Sequence, residues 1–159
     1  MLSPVKLVVG SPCWRKKRTT VAGVSDSQRI SSGLPYELVV GYSRAIRVDD
    51  RVFVSGTTPQ WADGSCNPDP EAQARRCFEI IEKALMEAGS GLADVVRTRV
   101  YLTSTASVAA IEKVHGELFA SIRPANTILI VAGLLNPEWK VEIEVDAIVG
   151  VRDRVSTSS

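Results

Sequence analysis

The stretch "KVEIEVDAIV", residues 140–149, alternates without a break: Val141, Ile143, Val145 and Ala147 fall on one side of an extended chain, Glu142, Glu144 and Asp146 on the other. A strand of this kind has one dry face and one acidic face. It forces a sheet that apolar elements cover on one side only. The stretch "DVVRTRVYLT" has the same period with the opposite charge: Val96, Thr98, Val100 and Leu102 point one way, while Arg97, Arg99 and Tyr101 point the other. Rows of opposite charge on separate strands can pair across the sheet or across a subunit boundary. The expectation is that other copies of the chain cover this face, the alternative being a face left charged for solubility.

Two segments carry helical period. In "DPEAQARRCFEIIEKALMEAG", Ala74, Phe78, Ile81, Leu85 and Ala88 share a stripe, Asp69 can cap the start, Pro70 suits the first turn and Gly89 the stop. In "TASVAAIEKVHGELFASI", Val108, Ile111, Val114 or His115, and Leu118 share a face, and Pro124 follows the end. The strand candidates are "RAIRV" and "RVFVSGTT" flanking the turn "DD", then "DVVRTRVYLT", "NTILIVAGL" and "KVEIEVDAIVG". The order is strand, strand, helix, strand, helix, strand, strand. Two helices cannot cover both faces of such a sheet, so an α+β fold with both helices on one face is expected.

Length and charge limit the function classes. The chain has 159 residues, enough for one domain with its own core, placed here at residues 28–152. Its 19 basic and 18 acidic side chains leave a net charge of +1, too small a field for a general nucleic-acid binder. No stretch approaches the roughly 20 apolar residues of a membrane span, so a soluble chain is expected. Cys13, Cys66 and Cys77 lack metal-ligand spacing and lie far in sequence from the single histidine, His115, which argues for a reducing compartment and no structural metal. His115 borders an apolar stripe and reads as a packed helix residue. Cys77, beside Phe78, reads as a buried packing cysteine rather than a nucleophile.

Residues 1–27 form a basic extension; up to Ser25 it has no acid, and Lys6, Arg15, Lys16, Lys17 and Arg18 supply five positive charges. This composition fits an organelle transit peptide or a solvated basic tail. A cytoplasmic location is expected, with a mitochondrial one left open by this segment. Residues 153–159, "RVSTSS" preceded by Asp153, read as a tail.

The runs "GYSRAIRVDDRVFVSGTTP", "QARRCFEIIEKALMEAGSGLADVVRTRVYLTS" and "IRPANTILIVAGLLNPEWKVEIEVDAI" together resemble the Rid family, also called YjgF or reactive-intermediate deaminase proteins. The resemblance spans Arg29 to Val149, with "VSGTTP", "LADVVRTRVYLT", "RPANT" and "VEIEVDAI" in the family's order and spacing. It implies a chorismate-mutase-like mixed sheet, a homotrimer whose sheets line a central barrel, and a small-molecule cleft at each subunit boundary. It also implies hydrolysis of enamines and imines without a bound cofactor, while the balanced charge and the lack of a long apolar run argue against a specific nucleic-acid or membrane partner. Ribonuclease activity, another property of relatives, fits poorly with the balanced charge and the lone histidine.

The family positions carry over one at a time. Glu142 matches the glutamate that orients water or takes a proton, and is the catalytic candidate. Tyr42 matches a cleft-bordering tyrosine, although a packing role explains it as well; Ser55 and Gly56 match a turn whose backbone approaches the pocket. Where the deaminase subgroup has a carboxylate-binding arginine after "PA", this chain has Asn126. An amide supplies neither the charge nor the fork of a guanidinium, so carboxylate binding would weaken by about two to four orders of magnitude. Arg123, Arg44 and Arg99 are the candidate replacement cations. The expected function is acid–base chemistry on a small molecule, with imine hydrolysis as the family default and tautomerisation, dehydration or cyclisation as altered reactions. The alternative is a trimer that binds a metabolite or regulates a partner without catalysis.

Overall fold

The computed structural model describes residues 27–152. The basic extension up to residue 26 and the tail at 153–159, with their targeting and tail readings, lie outside the described residues. The elements are β1 (Ser27–Ile30), α1 (Pro35–Val40), β2 (Ala45–Val48), β3 (Arg51–Thr57), α2 (Pro70–Glu87), β4 (Val95–Leu102), α3 (Val108–Phe119), β5 (Ala125–Ile130) and β6 (Val141–Ile148). They form one six-stranded sheet in the order β1-β2-β3-β6-β4-β5. Every pairing is antiparallel except β4 with β5, which α3 connects as a crossover. The mixed α+β architecture is the one the sequence implies.

β6 sits at the centre because both its faces are specified. Its inward row, Val141, Ile143, Val145 and Ala147, is buried and meets Ala74, Phe78, Ile81 and Leu85 of α2 in one core. Helix α3 adds Ile111, Val114 and Phe119, so Val114 rather than His115 takes the inward position. The rings of Phe78 and Phe119 meet edge to face at 5.4 Å, joining the two helices. Asp69 caps α2 by accepting from the Ala72 amide at 3.0 Å. At its other end Gly89 turns the chain with φ of 73°, and Arg47 of β2 donates to the Ala88 carbonyl at 2.7 Å.

The structure corrects the sequence reading in two places. First, β1 and α1 precede the expected elements. Four residues, "SQRI", and six, "PYELVV", are too short to show a period, and α1 is set instead by Pro35 at its first turn. Second, Val96 is not on the inward row of β4. The β4–β6 register shifts between Val95 and Arg97, so Val95 is buried and Val96 is only partly covered. A bulge adds one residue and reverses the parity ahead of it, which alternation alone cannot reveal.

One buried side chain ties the irregular segments to the core. Gln73 is fully buried on α2; its amide nitrogen donates to the carbonyls of Asn67 at 2.7 Å and Glu138 at 3.0 Å, and its oxygen accepts from the Lys140 amide at 2.7 Å. It thereby fixes the loop before α2 against the loop that feeds β6. Gln73→Leu should destabilise the protein by about 1–3 kcal/mol for each buried backbone group left without a partner. Chemical denaturation measures this, and a loss under about 0.5 kcal/mol would show that water substitutes for the amide.

Candidate functional site

The outward rows of β4 and β6 stand in register: Tyr101 opposite Glu142, Arg99 opposite Glu144, and Arg97 opposite Asp146. Charge and register together dictate how they pair. Arg99 Nη2 lies 3.1 Å from Asp146 Oδ2, while Arg97 Nε lies 3.7 Å from the same oxygen. Arg99 also reaches Glu144 at 3.7 Å, and the Tyr101 hydroxyl donates to Glu144. The bonded Glu144 raises the Tyr101 pKa, and the bond to Asp146 raises that of Arg99. Arg99 is therefore already engaged by two carboxylates.

Glu142 is left out of this network. It makes no ion pair or hydrogen bond among the described residues and instead lies over Gly56 of β3. Burial raises its pKa above the ordinary carboxylate value, the Glu144 charge adds to the rise, and Arg44 opposes it. The backbone beneath explains the glycine. The β3–β6 register shifts between Val54 and Thr57, and any Cβ at position 56 would run into the Glu142 carboxylate. Arg44 clamps this bulge from β2's side: its Nη1 donates to Thr57 Oγ1 at 2.7 Å and the Gly56 carbonyl at 3.1 Å, with the Ser55 carbonyl at 3.4 Å. Ser55 Oγ donates back to the Ser43 carbonyl at 2.8 Å.

Tyr42 and Ser55 line a shallow hollow of about 470 Å³ together with Phe53, Arg99, Glu144 and Asp146. Tyr42 also meets the Tyr36 ring edge-on at 6.4 Å. The structure thus brings Tyr42, Ser55 and Gly56 onto the part of the sheet where Glu142 stands.

Asn126 is placed elsewhere. On β5 it pairs in register with Thr98 of β4, whose buried side chain points toward the helices. Thr98 Oγ1 donates to Asn126 Oδ1 at 3.0 Å and lies 3.0 Å from His115 Nε2. The hydroxyl has one proton, so with Asn126 accepting it, the threonine oxygen accepts from an Nε2–H of His115. Burial lowers the His115 pKa, which keeps the ring neutral at pH 7. The chain of bonds occupies the amide oxygen and leaves the two Nδ2 hydrogens for the exposed side. By strand spacing, Asn126 and Glu142 are roughly 14 Å apart along the sheet, and they face opposite sides.

Arg123 is exposed in the turn before β5, with φ of 53°, and has no side-chain bond to Asn126. Cys77 is fully buried on α2, where burial raises its thiol pKa. Sequence reasoning missed Thr98 as the partner of Asn126 and His115 as the partner of Thr98. The available signal was a hydroxyl in the otherwise apolar row of β4.

This mixed α+β fold, a six-stranded sheet with helices, is shared by solved structures. A Mycobacterium tuberculosis member of the highly conserved YjgF/YER057c/UK114 family superposes with a TM-score of 0.72 at 42% identity, covering 78% of this chain and 100% of that one. A Pseudomonas aeruginosa protein of unknown function gives a TM-score of 0.71 at 29% identity, covering 80% of this chain and 95% of that one. An uncharacterized Streptomyces coelicolor protein is 39% identical over 127 residues, which are 79% of this chain and 95% of that protein. The chain belongs to the family described as Endoribonuclease L-PSP, the YjgF or Rid family, whose model matches residues 36–149. Among the described residues no helix is long and apolar enough to cross a membrane.

The buried carboxylate has a consequence for stability. A folded-state pKa above the unfolded value means that an ionised Glu142 disfavours folding. The penalty is absent at low pH, where both states are protonated, and grows as pH rises through the folded pKa. Glu142→Gln should therefore gain stability relative to the native protein as pH rises above the ordinary carboxylate range, with the gain levelling off once the folded-state carboxyl has ionised. Denaturant unfolding across that range tests this, and a difference independent of pH would contradict the assignment.

Proposed function

We propose that this protein is a small-molecule enzyme that uses Glu142 for acid–base chemistry in a cleft between two copies of the chain, within a homotrimer. The observation that carries this reading is the Glu142 carboxylate itself: half-buried, unpaired, and raised in pKa toward the range useful for proton transfer. The arrangement of Asn126 supports a shared cleft, because a second copy is needed to bring its amide and a Glu142 carboxylate to one ligand. The exposed apolar residues Phe53, Leu129 and Ile130 support association of the sheet face and its edge.

For imine hydrolysis, the family default, Glu142 would take a proton from water as the water oxygen bonds to the C=N carbon. It would return that proton to nitrogen, giving a carbinolamine, and then carry the hydroxyl proton to the same nitrogen, so that the C–N bond breaks as the C=O bond forms and ammonia leaves a keto acid. Asn126 would donate hydrogen bonds to a carbonyl, hydroxyl or carboxylate without adding charge. This favours a substrate that is neutral or held by another cation. Tautomerisation, dehydration or cyclisation would use the same groups.

A non-catalytic binding or regulatory trimer is the second reading, favoured by the missing arginine at position 126. The two separate in one set of assays with freshly generated imines of several amino acids. Glu142→Gln should lower turnover by about 10²–10⁴-fold with the assembly intact. Asn126→Arg should raise kcat/KM for imino acids at least ~10-fold by restoring the carboxylate fork. Unchanged turnover in Glu142→Gln would remove Glu142 from the chemistry. Ligand binding without turnover, retained in that variant, would support the binding protein.

A further inference from the structure

The segment from Leu34 to Val40, which contains α1, turns its apolar side chains outward. Leu38 is 91% exposed and Val39 83%, and Leu34, Tyr36 and Val40 are exposed beside them. The single charge of the segment points the other way. Glu37 is buried, and its carboxylate accepts from the Ser32 amide at 2.8 Å, the Ser32 hydroxyl at 2.6 Å and the Ser31 hydroxyl. The outward face of α1 therefore carries no charge. A lone exposed leucine is ordinary, but five large apolar side chains within seven residues make the kind of patch that marks an interaction surface.

Chemistry and placement select the occupant. A helix that lies in a membrane interface carries lysine or arginine around its apolar face, and residues 34–40 have neither. A second copy of the chain offers a matching surface. α1 connects β1 to β2 at one end of the sheet; at the other end β5 pairs with β4 alone. There Leu129 and Ile130 are exposed, as is Leu135 in the loop that follows. Ile130 shares the Asn126 side of the strand. α1 itself ends at the hollow beside the β3 bulge: Gly41 closes the helix with φ of 81° and lines that hollow with Tyr42, whose ring meets Tyr36. A β5 edge seated on α1 thus brings its own Asn126 toward the hollow of the neighbouring copy.

We infer that α1 of one copy docks on the β5 edge of the next, with Leu38 and Val39 packing against Leu129, Ile130 and Leu135. The inference rests on the shared cleft proposed above and names the contact that builds it. The two patches differ, so the contact is head-to-tail, and each copy gives one α1 and receives one on its β5. A ring of three uses every patch and leaves none open.

The test is sedimentation velocity on the full chain and on Leu38→Glu and Ile130→Glu. Both side chains are exposed, so each protomer keeps its fold, which denaturant unfolding checks. Each variant alone should weaken assembly at least ~100-fold, because a carboxylate is buried in the contact without a partner. Mixed in equal amounts, the two should recover heterodimers: the Ile130→Glu copy keeps an intact α1 and the Leu38→Glu copy an intact β5 edge. Dissociation of Leu38→Glu but not of Ile130→Glu would mean that α1 pairs with α1, and would overturn the inference. So would mixed variants that remain monomers. Assembly that survives Leu38→Glu would overturn this contact and leave the shared cleft standing. A native chain that stays monomeric, free or bound to anionic vesicles, would overturn both.

Discussion

The alternation of β6 is the constraint on which the rest of the structure depends. The strand is held antiparallel by β3 on one side and β4 on the other, so its parity is communicated to half the sheet. A slip by one residue would carry Glu142, Glu144 and Asp146 into the core against α2 and expose the valines, at a cost no other contact could offset. The same parity sets the chemistry. Glu144 and Asp146 meet the basic and phenolic groups of β4, while Glu142 falls beside the β3 bulge, where Gly56 offers space and no partner.

The elements with several repeats of their period were legible in the sequence: α2, α3, β4 and β6. Alternation also fixed the side on which each charged side chain emerges, leaving open whether the opposite rows pair across the sheet or across a subunit boundary. What escaped was decided by single residues or distant contacts. β1 and α1 are too short for a pattern, and the Val95–Arg97 shift in β4 is one extra residue whose effect depends on the neighbouring strand.

The candidate site shows the same division. Motif order picked out Glu142, Gly56 and Ser55, which the fold places side by side in the β3–β6 region. It gave no hint that Arg44, weighed only as a replacement cation, would have its Nη1 engaged by the bulge. Arg99 was weighed for the same role, yet its charge is divided between Glu144 and Asp146. Thr98, which bonds Asn126, is 28 residues away in the chain, and His115, which lies against Thr98, is 11 away from Asn126, separations at which local patterns carry no information.

The bridge through Thr98 also gives Asn126 a fixed polarity. An amide free to rotate can offer a donor to one ligand and an acceptor to another, and so distinguishes them weakly. Here the flipped arrangement would set an amide hydrogen against the Thr98 hydroxyl and require the neutral His115 ring to exchange its tautomer. In the proposed cleft the side chain would therefore donate its N–H groups to a ligand's lone pair and offer no acceptor to a ligand N–H. An arginine would make the same choice by charge; in the proposed cleft this chain would make it by the orientation of a neutral group, and the discrimination would persist at salt concentrations that screen an ion pair.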